Sequence, residues 1–267
     1  MKNILLIVHD DAGQEARLQA ALDMTRAVNG HLTCLDVSIM PALIGDYYSG
    51  AGEAMLLADE REREATNRKR LESRLAHEDV SWDWVDVTGN LATCVTEAAG
   101  MADLIVTNRK LDGFPFPDMR EAAGEIIVKS GRPILAVPDN LTSFDPSGRA
   151  LIAWDGSPCA TAALRAAVAL LQLSRSVILS EVEDGSINTP AEEAAAYLSR
   201  HGVHAVVRRE GCHDRRASDI LLDQARHGHV AYLVMGGFGH RRLVEALFGG
   251  VTRKMLTESP IPVFLAH

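Results

Sequence analysis

Ala150-Leu151-Ile152-Ala153-Trp154-Asp155-Gly156-Ser157-Pro158 is an apolar run that breaks into an acidic turn, and Thr161 to Leu171 behind it carries apolar residues at three- and four-residue spacing. The run reads as a buried strand, the turn as its carboxyl end, and the following segment as an amphipathic helix packed on a sheet. The same order stands near the start of the chain, as Ile4-Leu5-Leu6-Ile7-Val8, then Asp10-Asp11, then a helical pattern from Arg17 to Val28. Further parallels follow. Second strands are expected at 31–37 and 176–182, and Asp103-Leu104-Ile105-Val106-Thr107 aligns with Tyr232-Leu233-Val234-Met235-Gly236. The halves close with Arg132-Pro133-Ile134-Leu135-Ala136-Val137 and Pro260-Ile261-Pro262-Val263-Phe264-Leu265. The chain is therefore an internal repeat with a period of about half its length.

Strands that are nearly all apolar and alternate with helices run parallel and are covered on both faces. The expected fold is α/β: two tandem doubly wound domains, 1–139 and 149–267, each a five-stranded parallel sheet flanked by helices. Between them Pro138, Asn140, Pro146 and Gly148 break any period, so Asp139 to Gly148 reads as the linker. The halves differ in one large segment. After its second strand the first half carries Gly45-Asp46-Tyr47-Tyr48-Ser49-Gly50-Ala51-Gly52 and a charged helix running to about His77. Glu60, Glu62 and Glu64 alternate there with Arg61, Arg63, Arg68 and Arg70, the pattern of a solvated helix supported by i,i+4 pairs.

Of the 267 residues 47% are hydrophobic and 24% charged, enough to build an extensive core. The net charge of -9 is unevenly shared: residues 1–148 hold 14 Lys+Arg and 24 Asp+Glu, residues 149–267 hold 13 and 12. An acidic whole argues against nucleic acid and anionic membranes as partners, and an anionic ligand belongs with the second half. The four Cys, at 34, 94, 159 and 212, fit neither a disulfide scaffold nor a CxxC site. Cys34, Cys94 and Cys159 are expected as small core side chains, with Cys212 beside His213 as the candidate reactive thiol. The first apolar run is too short for a secretory leader or a membrane span, so a cytoplasmic protein is expected.

In an open parallel sheet ligands sit outside the carboxyl ends of the strands, where strand order reverses. The loops after the first and fourth strands of each half are therefore where chemistry is sought. In the second half the fourth strand runs into Gly236-Gly237-Phe238-Gly239-His240-Arg241-Arg242, and nine residues after Gly239 comes Gly249-Gly250-Val251-Thr252 before a final helix. Such glycines expose backbone amides without Cβ obstruction, and free amides at a helix start attract phosphate. His240, Arg241 and Arg242 add positive potential, Thr252 offers a hydroxyl, and Asp155 offers an acceptor for a ribose hydroxyl or a base. No G-x-x-x-x-G-K-[ST] loop and no G-x-G-x-x-G opening the first helix occurs, so the phosphate mode is a different one.

These residues resemble the universal stress protein family, and the chain looks like a tandem of two such domains. The resemblance rests on Leu151 to Pro158, the strand Leu233-Val234-Met235, the Gly236/Gly239/Gly249 series with Val251-Thr252, and Pro260-Ile261-Pro262-Val263. In the ATP-binding branch of that family, G-x2-G-x9-G-(S/T) cradles the phosphates. It implies ATP, with Mg²⁺ as a companion ion, held by Gly236, Gly239, Gly249, Gly250, Val251 and Thr252 around phosphates and ribose. Asp155 and Val182 are implied near adenine and ribose. The hydroxyl residue that follows the third glycine in the family is Gly250 here, which removes one neutral hydrogen bond worth about 0.5–1.5 kcal/mol. In the first half Thr107, Lys110 and Arg120 align with Gly236, Gly239 and Gly249, and Phe114-Pro115-Phe116-Pro117 is inserted, so that half is expected not to hold ATP in this way.

The family also implies pairing through the last strand, here Ile261 to Leu265, between the two halves and between two chains as a homodimer. The resulting expectation is a stress-response module whose nucleotide state is read by a protein partner, with at most slow ATP hydrolysis and no catalytic residue. A nucleotide hydrolase or adenylyl-type enzyme and a scaffold without nucleotide are the alternatives. No metal site is expected: His201, His204, His213, His227 and His229 fall at both ends of the assumed sheet.

Overall fold

The computed structural model describes residues 1–39, 50–109, 119–185, 187–238 and 250–267. The N-terminal half runs β1 (Asn3–Val8), α1 (Gln14–Val28), β2 (His31–Ile39), α2 (Gly50–Leu75), β3 (Ser81–Gly89), α3 (Leu91–Ala98), β4 (Leu104–Asn108), α4 (Met119–Ser130) and β5 (Ile134–Val137). The C-terminal half repeats the alternation as β6 (Arg149–Trp154), α5 (Pro158–Leu171), β7 (Ser176–Glu183), α6 (Ala191–Arg200), β8 (Ala205–Gly211), α7 (Ala217–His227), β9 (Tyr232–Gly236), α8 (Gly250–Glu258) and β10 (Val263–Ala266). The α/β class is as the sequence pattern predicts, and the strand–helix alternation repeats in the second half.

All ten strands belong to one sheet, in the order β3-β2-β1-β4-β5-β10-β9-β6-β7-β8. Within each half the pairings are parallel, and the halves join where β10 meets β5 antiparallel, Phe264 opposite Leu135. β10 thus has β9 on one side and β5 on the other, so the last strand pairs the two halves as expected. Each half has its reversal of strand order beside its first strand, between β1 and β4 and between β6 and β9.

Apolar side chains cover both faces, as parallel strands require. One face holds Leu6, Ile152, Tyr232 and Phe264 under α1, α5 and α6; the other holds Leu5, Leu151, Leu233 and Leu265 under α3, α4, α7 and α8. The linker is packed rather than loose. Phe144 is buried, its backbone N–H donates to Asp23 Oδ2 at 2.9 Å, and its ring meets Tyr232 edge-on at 5.8 Å.

Helix α2 differs from the solvated helix expected. Glu64, Asn67, Leu71 and Leu75 form a buried stripe at three- and four-residue spacing, and its polar half closes over the β1–α1 loop. Sequence periodicity hid this stripe because two of its four members are polar.

The crevice beside the sixth strand

The carboxyl end of β6 is built around a turn that only glycine allows. Asp155 Oδ1 accepts from the Ser157 backbone N–H at 2.9 Å, and Ser157 Oγ caps α5 by accepting from Ala160 N–H at 3.1 Å, with Pro158 opening the helix. Gly156 has φ +69°, and a Cβ there would lie 2.1 Å from the backbone nitrogen of Thr189. Residues 188 and 189 fasten the turn from the far side: Asn188 N–H donates to Asp155 O at 2.8 Å, and Trp154 Nε1–H donates to Thr189 O at 2.8 Å. With its backbone held, Asp155 keeps Oδ2 without a hydrogen-bond partner among the described residues.

Opposite this turn, β9 ends in Gly236. A Cβ on Gly236 would sit 2.4 Å from Ala160 N, so the residue is glycine because β9 runs directly against the start of α5. Gly237 N–H then donates to Ala266 O at 3.0 Å, and its α-carbon lies beside Thr252, whose Cγ2 would be 3.5 Å from a Cβ. Thr252 is buried in the first turn of α8, and Val251 packs beside it. Gly250 begins α8, and among the described residues nothing lies within 4 Å of where its side chain would go. Val182, near the end of β7, is buried among the side chains under α7 and α8, with its carbonyl bonded to Asp184 N–H at 3.0 Å.

The structure therefore brings Asp155, Gly236, Gly250, Val251 and Thr252 to the carboxyl ends of β6 and β9, with Val182 one strand away. Gly239, His240 and Gly249 lie outside the described residues.

One residue that motif reading missed stands between them. Ala153, on the central strand of this half, is partly exposed although Ile152 and Trp154 on either side of it are buried. It lies on the face that α7 and α8 cover, packed against the edge of that cluster and partly exposed at the switch point. An aligned pair carried the signal: Ala153 repeats the place of Ile7. Ile7 is 2% exposed, and its larger side chain fills the matching position in the N-terminal half.

Side chains also bind the strand end at the N-terminal switch point. Arg17, 1% exposed, donates from Nε to Ile7 O at 3.2 Å, from Nη2 to His9 O at 3.1 Å, and to both oxygens of Asp11 at 2.9 and 2.7 Å. His9 Nδ1 meets Glu64 Oε1 at 2.8 Å, both side chains 3% exposed, and the Gln14 and Asn67 amides meet at 2.7 Å. Burial, the largest influence on the Glu64 carboxyl, pushes its pKa up. The His9 hydrogen bond and charge, the Asn67 amide and the Asp10 N–H outweigh it and hold the pKa below the usual value.

Strand pairing also corrects the alignment of the two fourth strands. Ile4 pairs with Leu104 and Ala150 with Tyr232, so Asn108 rather than Thr107 occupies the place of Gly236. Apolar runs match equally well one residue out of step; hydrogen-bond register does not.

The expectations for cysteine are met in part. Cys34 is buried and its thiol is pushed up to about 12 by burial and Asp83. Cys159 is not a core side chain: it is partly exposed at the start of α5, its Sγ 3.4 Å from His267 Nδ1. Desolvation and Asp184 raise the Cys212 thiol, which opposes the reactivity expected there. Among the described residues no helix is long and apolar enough to cross a membrane, and no three His, Cys, Asp or Glu gather as a metal site.

Residues 147–267 match the universal stress protein family. A universal stress protein from Archaeoglobus fulgidus DSM 4304 has a similar solved structure: TM-score 0.74 at 15% identity, covering 99% of this chain and 95% of that one. A functionally unknown protein, PA1789, from Pseudomonas aeruginosa PAO1 aligns at TM-score 0.59 and 16% identity over 100% and 92%. At these identities the likeness is one of fold. No curated protein matches the chain.

Proposed function

With residues 147–267 a universal stress protein domain, we propose that the C-terminal half binds ATP in the crevice between β6 and β9 and that the chain is a nucleotide-dependent stress-response module. The observation that carries this reading is the partly exposed Ala153 at the switch point, flanked by Asp155 and by the open start of α8. An adenosine fits against Ala153 and Val182, with Asp155 Oδ2 as acceptor for a ribose hydroxyl or the base. Phosphates lie toward Gly236, Gly250, Val251 and Thr252, where glycine backbone and the first amides of α8 favour negative charge. Gly239, His240 and Gly249 complete this set in the sequence pattern, and Mg²⁺ would travel with the phosphates. In the N-terminal half Ile7, Arg17 and Asn108 fill the same place, so one nucleotide per chain is expected.

Binding is the function; hydrolysis is not required by it, and a protein partner that distinguishes the loaded from the empty chain is its readout. The test is to denature freshly purified protein, identify released nucleotide by chromatography, and titrate ATP into wild type and Gly239→Val. Uptake near one per chain, lost in the variant, supports the reading. Turnover well above a slow background points to the enzyme instead, and neither released nor titratable nucleotide leaves a scaffold.

A further inference from the structure

The segment that leaves β9 toward the crevice is held by both halves of the molecule. Gly237 is fixed by the C-terminal half, through Ala266 O and through His267 Nδ1, which lies 3.2 Å from its carbonyl oxygen. The next residue, Phe238, is held by the N-terminal half. Its ring lies on α4 at Gly124: a Cβ on that buried glycine would be 2.8 Å from Cε1 and 3.0 Å from Cδ1. Phe238 also has φ +63°, a left-handed conformation that a residue with a side chain adopts only where its surroundings impose it. A helix-interior glycine otherwise costs stability, and here its missing side chain is the seat for the ring.

A second tie crosses at the other end of α8. Arg109, which follows β4 of the N-terminal half, donates from Nη1 to Ser259 O, directly after α8. Helix α8, whose start faces the crevice, is thus tied to the N-terminal half at its far end through Arg109. The segment opposite its start is tied through Phe238.

We propose that the N-terminal half sets the nucleotide affinity of the C-terminal crevice through Phe238, a positioning residue seated on α4 at Gly124. This rests on the ATP reading above. The route is short: α4 holds the ring, the ring fixes the backbone at 238, and Gly237 carries that placement to Thr252 and the start of α8. The half with the filled switch point is in this account the support that shapes the open one.

The experiment is ATP titration of full-length variants, with hydrogen exchange of α4 followed in the presence and absence of ATP. Phe238→Ala, which empties the seat, and Gly124→Leu, which expels the ring, are each expected to weaken ATP about tenfold, a coupling of ordinary size. Phe238→Leu keeps apolar volume in the seat and retains most of the affinity, which separates loss of bracing from failure to fold. In the double variant Gly124→Leu/Phe238→Ala the leucine occupies the vacated space and affinity recovers toward wild type. ATP slows exchange in α4 of wild type, although α4 does not line the crevice, and does not in Phe238→Ala. Affinities of both single variants within about twofold of wild type, or α4 exchange indifferent to ATP, overturn the coupling and leave ATP binding standing. A wild-type chain that takes up no ATP overturns the nucleotide reading and the coupling with it.

Discussion

The two switch points of this molecule are the same place built twice and finished differently. At β1 the position on the α3/α4 face is Ile7, the carbonyls of Ile7 and His9 are taken by Arg17, and Asn108 stands beside them. At β6 the position is Ala153, the carbonyl of Asp155 is taken by Asn188, and Gly236 stands beside it. In the first case side chains from α1 and α2 bind the strand-end carbonyls and close over the β1–α1 loop, with a surface cavity left on the outer side between Asp10, Gln14, Arg70 and Arg74. In the second the strand end is held by a tight turn and by backbone, and Asp155 Oδ2 has no hydrogen-bond partner among the described residues. A duplicated fold thus keeps its strands and helices in both copies, while the residues at one strand end decide how each switch point is finished.

The largest effect that would break this comparison lies in the filled half. Glu64→Ala removes the buried carboxylate that binds His9 Nδ1, the Asn67 amide and the Asp10 N–H and is expected to cost about 3–5 kcal/mol, read by urea denaturation. The same pair sets an acid limit. Because Glu64 titrates below its ordinary value in the folded state, its contribution is complete above the unfolded value of about 4.3 and is lost as pH falls through the lower folded value. Stability measured from pH 6 to pH 3 should decline less steeply in Glu64→Gln, from a lower starting point.

Next comes the opening itself. Ala153→Ile copies the N-terminal solution into the C-terminal half and is expected to weaken ATP at least about 100-fold, roughly 2.7 kcal/mol, with thermal unfolding unchanged. Binding that survives this substitution would place the ligand elsewhere. Gly156→Ala forces a side chain against the Thr189 backbone at positive φ, and a loss of about 1–3 kcal/mol in stability is expected, with Asp155 displaced and ATP weakened. The smallest change sharpens the comparison in the other direction. Gly250→Ser meets no described atom within 4 Å and adds a hydroxyl at the start of α8, worth about 0.5–1.5 kcal/mol, so ATP binding should tighten about threefold to tenfold in calorimetric titration.

Much of the architecture was legible in the chain because parallel strands buried on both faces must be apolar throughout and must alternate with helices. The strands at Ile4 to Val8 and at Ala150 to Trp154, the capped start of α5 at Ser157, and the linker after Val137 all follow from local pattern. Asp155 and Gly236 could be singled out for the same reason, since strand ends beside a reversal are where ligands sit. What local pattern could not supply is visible at three residues. Ala153 looks like any small residue in an apolar strand until its neighbours across the sheet are known. Asn108 was one residue away from its true place, because register is a matter of hydrogen bonds between strands. Glu64 and Asn67 looked solvated because a buried polar stripe has no hydrophobic periodicity.

The sequence by itself determined that this is a repeated α/β protein, with a glycine-rich loop and a strand-end aspartate in its second half, since these follow from composition, spacing and backbone stereochemistry within short segments. The tertiary structure alone decided two matters. It left Ala153 partly exposed while it buried Ile7 at the matching place. It laid Phe238 of one half on Gly124 of the other. Both depend on which surfaces meet between segments far apart in the chain, and contacts of that range leave no periodicity for a sequence to display.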